Sequence, residues 1–217
     1  LFLMSYGPQS KWFSSKLVDV KKMFFIILLS FSLVFIFANF EKNSSFITTL
    51  ILVFSIYLIL QSFLDLYTSI KNNSFNLSRS ISHLGFGMLI FFISTNNILS
   101  TESNFNLKVG ETKKLTNYSI KFNNLKILKE KNYETLVGNF LITDIKNYKE
   151  ENLKPEIRVY NQPKIVTYES SIKSKILSDT YLTMSNLAGS EFYSIRFQTK
   201  PFMNLIWTSV LIISAGG

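Results

Sequence analysis

The chain has 217 residues, is 47% hydrophobic and 15% aromatic, and carries 23 basic against 14 acidic residues, a formal net charge of +9. It has no cysteine and one histidine, which excludes thiol catalysis, a disulfide and any zinc centre built from this chain alone. In a soluble protein such a charge would suggest nucleic acid. Here the basic residues flank long apolar runs, where they serve to orient helices in a bilayer, so no nucleic-acid partner is expected.

The first residues, LFLMSY, read as the tail of an earlier hydrophobic stretch, and the last apolar run stops abruptly at Ala215-Gly216-Gly217. Both features suggest a piece of a longer protein. A polar loop at residues 8 to 22 holds Lys11, Lys16, Lys21 and Lys22 against a single acid, Asp19. Met23 to Phe40 follows without a charge, long enough at 1.5 Å per residue to cross about 27 Å of hydrocarbon. After a polar turn at Glu41 to Ser45, a second predicted span covers Phe46 to Ile70 and contains Asp65. A second polar loop, Lys71 to Arg79, leads to a third span at about Ile81 to Leu99. A fourth starts at Pro201, a residue suited to the first turn of a helix because its missing N–H has no partner there anyway.

Between the last two spans the pattern changes to the alternation of strands. Asn104–Val109, Tyr118–Leu128, Tyr133–Ile145, Glu156–Tyr160, Thr180–Ser185 and Glu191–Gln198 alternate apolar and polar residues. Gly110, Asn123-Asn124, Lys131-Asn132 and Ala188-Gly189 punctuate them. Five to seven short strands are expected, in a small barrel or sandwich, with a helical turn or two between Ser170 and Ser178. The expected fold is therefore a polytopic α-helical membrane protein with an inserted small all-β extracytoplasmic domain. Its parts are a membrane region at 1–100, the β domain at 101–200 and a last, truncated span at 201–217. The loops at 8–22 and 71–80 carry six basic residues and the turn at 41–45 only Lys42, which places the β domain outside, on the periplasmic side or its equivalent.

His83 lies near the start of the third span. An ionisable residue inside a span is costly enough to suggest a function, and a neutral imidazole in an apolar bundle is a good haem-iron ligand. The plainer alternative is an interfacial histidine bonded to a carbonyl or a headgroup. Gly85 and Gly87 allow close approach of either a flat macrocycle or a neighbouring helix. Asp65, at a comparable depth in the second span, is a candidate acceptor for the Nδ1 proton of His83, unless it simply reaches water. In the β domain, Glu156, Arg158 and Tyr160 of LKPEIRVY are candidates for binding a propionate or a partner, or are a solvated pair. Trp12 and Trp207 fit membrane interfaces or helix packing. No catalytic triad, phosphate-cradling loop or dinucleotide fingerprint is present.

Several separated motifs agree with one family. They are GPQSKW at 7–12, SHLG at 82–85, VGE at 109–111, KNY at 131–133, LKPEIRVY at 153–160, YESSI at 168–172, SDTYLTM at 178–184, and KPFMNLIW at 200–207 with the closing GG. In these the sequence resembles the carboxy-terminal part of the CcmF/NrfE family of cytochrome c-type biogenesis proteins, membrane subunits of a haem lyase.

The resemblance implies covalent attachment of haem to apocytochrome c. It implies partners of three kinds besides membrane lipid: a CcmE-type haem chaperone, CcmH/CcmI-type subunits that handle the apoprotein, and apocytochrome c itself. It also implies a membrane-held haem b with His83 as one axial ligand. The second histidine and the tryptophan-rich haem-handling motif would lie upstream, which would leave these residues inactive alone. The implied location is the bacterial inner membrane, with the mitochondrial inner membrane as the alternative. Tyr168, Ser209 and Ser82 depart from the family pattern, where threonine, glycine and alanine are usual, and bear on packing rather than ligation. Two other readings are a haem-binding or haem-export membrane protein without lyase activity, and a structural membrane-anchored β domain.

Overall fold

The structure, a computed structural model, describes residues 4, 20–40, 45–71, 77–187 and 189–217. It divides the chain into two compact units, one containing the helices and the other formed by Ser100–Lys200. The 7–12 motif, Trp12 and most of the residues in the three polar loops lie outside the described residues.

The helices of the first unit are α1 (Val20–Phe40), α2 (Phe46–Lys71), α3 (Leu77–Leu99) and α4 (Met203–Gly216). Of these, α2 and α3 are long and apolar enough to cross a membrane, and α4 is apolar but shorter. Ser45 caps α2, its Oγ accepting the Thr48 amide at 3.2 Å. Hydroxyls on the apolar helices turn back to their own backbone. Ser30 bonds the Ile26 carbonyl at 2.8 Å, Thr95 that of Phe91 at 2.7 Å, and Ser209 that of Leu205 at 2.7 Å. Each satisfies its polar atom without water.

Three helix starts differ from those expected. The first helix begins at Val20, three residues before the predicted span. The third helix begins at Leu77 and already includes Arg79 and Ser80, because nothing in LSRS breaks a helix and Ser80 finds a buried place, 2% exposed. Pro201 closes the preceding strand rather than opening α4. Phe202, just before α4, takes a left-handed conformation (φ 63°), and its carbonyl accepts the Leu205 and Ile206 amides at 3.0 Å. The Pro201 carbonyl is taken by the Asn96 side chain from the end of α3.

The second unit is a sandwich of two antiparallel sheets, not a barrel. One sheet has the order β1-β10-β9-β8 and the other β2-β3-β4-β6-β7, with β5 paired to β4. The strands are β1 (Thr101–Leu107), β2 (Thr112–Lys114), β3 (Tyr118–Lys129), β4 (Tyr133–Asp144), β5 (Glu150–Leu153), β6 (Glu156–Tyr160), β7 (Val166–Glu169), β8 (Ser171–Ser174), β9 (Ser178–Asn186) and β10 (Tyr193–Pro201). Alternate residues of the long strands fill the space between the sheets. Ile120, Phe122 and Phe140 from one, and Leu182, Met184 and Ile195 from the other, are all 0% exposed. Phe122 and Phe140 stack at 4.2 Å between centroids, worth about 1 kcal/mol beyond their burial. Gly138 keeps this layer thin, since a Cβ there would lie 2.7 Å from the Phe140 ring and 2.8 Å from Met184 Sδ. A register shift between Phe122 and Asn124 restores the inward phase, so that Leu125 packs on the same core.

Among the described residues ten strands stand where five to seven were expected. The four that alternation misses, β2, β5, β7 and β8, have only three or four residues each. The helical turn expected between Ser170 and Ser178 is instead β8, paired with β9 from Ser171↔Leu182 to Ser174↔Asp179, and a hairpin turn. Sheet pairing outweighs the weak helical preference of SIKSKIL.

Candidate functional site

His83 sits in the second turn of α3, half-buried. Its surroundings follow from the small residues on the same helix. At Gly85 a Cβ would lie 2.8 Å from the backbone nitrogen of Ile213, so α4 lies directly on α3 there. At Gly87, one turn beyond His83, a Cβ would lie 3.0 Å from Ile59 Cγ1 and 3.2 Å from its backbone nitrogen, so α2 closes on that side. Both glycines are thus used for helix packing rather than for a flat ring. Gly216 deepens the same contact, with Ser82 N and Oγ both 2.5 Å from where its Cβ would be.

Arg79, one turn before His83, and Asp65 of α2 are the charged groups near enough to act on the imidazole. Asp65 does not take the Nδ1 proton. Its Oδ1 accepts Gln61 Nε2 at 3.3 Å, and no hydrogen bond joins His83 to any described residue. His83, the sole histidine of the sequence, fits one axial position of a haem iron. Among the described residues no cluster of three His, Asp or Glu side chains could hold a metal ion.

The LKPEIRVY motif runs from the last residue of β5 through β6. Arg158 is spoken for within the sheet: its Nε bonds Glu156 Oε2 at 2.8 Å and its guanidinium lies 5.1 Å from the centre of the Tyr133 ring. The hydrogen bonds it donates to Glu156 and then Tyr160 raise its pKa above the usual arginine value. Thr135 Oγ1 supports the same carboxylate at 3.4 Å. This is an internally neutralised cross-strand cluster, not an anion site waiting for a propionate. Trp207 is 63% exposed on α4.

Of the departures from the family pattern, Ser209 is fully buried with its hydroxyl folded onto its own helix, and Tyr168 is 50% exposed on an edge strand. What sequence reading missed is the role of Gly216, which rests on α3 beside His83. The matched run of small residues, Ser78, Ser82 and Gly216, was its signal.

The architecture is a β-sandwich inserted in the chain between apolar helices, with one potential ligand on the helix that leads into it. Residues 98–201 match the family model described as the CcmF C-terminal beta-sandwich. Over 99% of its length the chain is 26% identical to the cytochrome c-type biogenesis protein CcmF of Haemophilus influenzae, of which it covers 35%. It is 24% identical to the cytochrome c-type biogenesis protein CycK of Rhizobium meliloti over 64% of the chain and 20% of that protein. The CcmF of Escherichia coli is 26% identical over 63% of the chain and 21% of that protein. A solved structure, that of the cytochrome c heme lyase CcmF, shares the fold with a TM-score of 0.73 and 15% identity, over 99% of this chain and 36% of the other. The sandwich belongs to the CcmF C-terminal beta-sandwich family, and the chain as a whole is similar to the carboxy-terminal part of CcmF proteins. It spans about a third of the length of the Haemophilus influenzae protein.

Proposed function

We propose that this chain takes part in cytochrome c biogenesis as the carboxy-terminal part of a membrane haem lyase subunit, with His83 as one axial ligand of a b-type haem. The observation that carries the reading is a half-buried histidine without a hydrogen bond among the described residues, on an apolar helix, in a chain whose relatives are named for cytochrome c biogenesis. A bound haem would supply reversible one-electron chemistry. The residues of this chain would do the rest. His83 would ligate the iron, and Gly85, Gly87 and Gly216 would hold α2, α3 and α4 close, keeping water from the imidazole.

The helices are proposed to span the bacterial inner membrane. Lys21 and Lys22 at the start of α1, Lys71 at the end of α2 and Arg79 in the first turn of α3 would stay on the cytoplasmic side, with the sandwich in the periplasm. Apocytochrome c, a haem chaperone of the CcmE type and CcmH/CcmI-type subunits are its proposed partners.

The test is the reduced-minus-oxidised spectrum of the purified full-length protein with and without His83→Ala, read beside holo-cytochrome c formation in cells. Loss of both the b-type signal and the holo-cytochrome supports ligation and a lyase role. Loss of the spectrum alone would point to a haem-binding protein without lyase activity, and an unchanged spectrum would remove His83 from the iron.

A further inference from the structure

Three turns of the sandwich gather at one end, and strand register says which. Thr101 pairs with Thr199, Tyr118 with Asp144 and Ser174 with Asp179. Lys175 Nζ of one sheet bonds Glu151 Oε1 of the other at 2.8 Å, and the Tyr118 ring meets Phe197 edge-on at 5.2 Å. The turns at 115–117, 145–149 and 175–177 therefore share the end at which the chain enters the sandwich at Thr101 and leaves it at Lys200.

The tips of this end carry side chains poorly suited to water. Tyr148 is 83% exposed, Ile176 81%, Leu177 59% and Ile145 40%, at turn positions where Gly, Asn, Asp or Ser is the ordinary choice. Tyr148 has φ 53°, a left-handed conformation that an aromatic residue rarely adopts. The turn nevertheless holds it firmly. The Asp144 carboxylate accepts the Lys146 amide at 2.9 Å and the Asn147 amide at 3.3 Å, and the Tyr148 amide bonds the Asp144 carbonyl at 2.8 Å.

Charge follows the same pattern. Lys146 and Lys149 are exposed on either side of Tyr148 and form no ion pair among the described residues. The neighbouring acids are mostly engaged. Asp144 caps the turn, Glu151 holds Lys175, and buried Asp179 accepts the Lys175 amide at 3.4 Å, which leaves Glu150 as the exposed carboxylate. Exposed apolar tips with a tyrosine among lysines are what a bilayer interface selects.

We infer that this end of the sandwich seats in the headgroup layer of an anionic lipid surface, with Tyr148, Ile176 and Leu177 entering it and Lys146 and Lys149 meeting lipid phosphates. The inference rests on the membrane reading of the helices, and its test separates the two. The full-length protein, cleared of other cysteines, receives one at a time Tyr148→Cys, Ile176→Cys, Lys131→Cys in the turn at the opposite end, and Phe63→Cys on the exposed face of α2. Each is labelled with bimane and reconstituted in phosphatidylcholine vesicles, with or without phosphatidylglycerol, that carry nitroxide in the headgroup or at mid-chain.

Labels at 148 and 176 should be quenched by headgroup nitroxide about threefold more than the label at 131. The excess should fall when Lys146 and Lys149 become glutamine or when phosphatidylglycerol is left out, since each lysine near an anionic surface is worth about fivefold in partitioning. Quenching at 63 by mid-chain nitroxide without excess quenching at 148 and 176 overturns the inference and leaves the membrane reading standing. Absence of quenching at 63 overturns the membrane reading and the inference with it. Blue-shifted emission at 148 without lipid quenching means that protein covers the tip, and also overturns it.

Discussion

The helices and the sandwich spend their aromatic and aliphatic residues in opposite ways. In the sandwich, Phe122 and Phe140 are 0% exposed, sealed between the two sheets. On the helices, Phe24 is 68% exposed, Phe35 70% and Phe46 81%, while α2 and α4 approach α3 closely at Gly87, Gly85 and Gly216. The sandwich is held by what fills it. The helices are held by what is missing from their surfaces, and their exposed faces suit a bilayer or further helices instead of water.

That difference can be broken in both directions. The largest effect on stability is expected in the sandwich: Phe140→Ala removes a fully buried ring from the stacked pair and should cost about 3–5 kcal/mol, seen as rapid proteolysis within 101–200 of the full-length protein. The matching substitution on a helix, Phe35→Ala, should leave protease resistance unchanged within about 0.5 kcal/mol, and equal sensitivity at the two sites would erase the contrast.

For the helices the damaging change is addition. Gly85→Val drives a Cβ to 2.8 Å from the Ile213 backbone and should cost about 1–3 kcal/mol, lowering disulfide cross-linking between cysteines placed on α3 and α4. Unchanged cross-linking would mean that the α3–α4 contact is looser than its geometry.

The smallest effect is at the mouth of the sandwich. Hydrogen bonds from Arg196, Gln198 and Asn104 hold the Glu102 carboxyl down to about 2, from an ordinary value of 4.5. A lowered carboxylate pKa contributes stability that is complete above 4.5 and is lost as pH falls towards 2. The pair is exposed, so the contribution is small. Glu102→Gln should flatten the stability profile between those two values and leave it nearly unaltered at neutral pH, and a variant equally acid-sensitive would remove Glu102 from that role.

What could be read in advance divides along physical lines. Long strands declared themselves because one face must be apolar, and Tyr118–Lys129 and Tyr133–Asp144 fall within a residue of their expected bounds. Edge strands such as Thr112–Lys114, exposed at all three residues, are fixed by a neighbour's hydrogen bonds, which leave no mark on composition. Pro201 was misread because its preference for a first helical turn is local, whereas its pairing at the end of β10 is set by the sheet. The glycines were legible as sites of close approach, though not which helix each would meet. The candidate Asp65–His83 bond is not formed among the described residues, because depth in a span fixes height alone. Gln61, one turn away on the same helix, reaches the carboxylate first.

The first and last strands of the sandwich are hydrogen-bonded neighbours, with Thr101 opposite Thr199 and their hydroxyls 2.6 Å apart. Excising everything between them would leave two chain ends only about 5 Å apart, a gap that a short turn can close. The sandwich therefore has the topology of a cassette. It can be gained, lost or exchanged during descent at a single point in the chain, without rethreading the helices on either side.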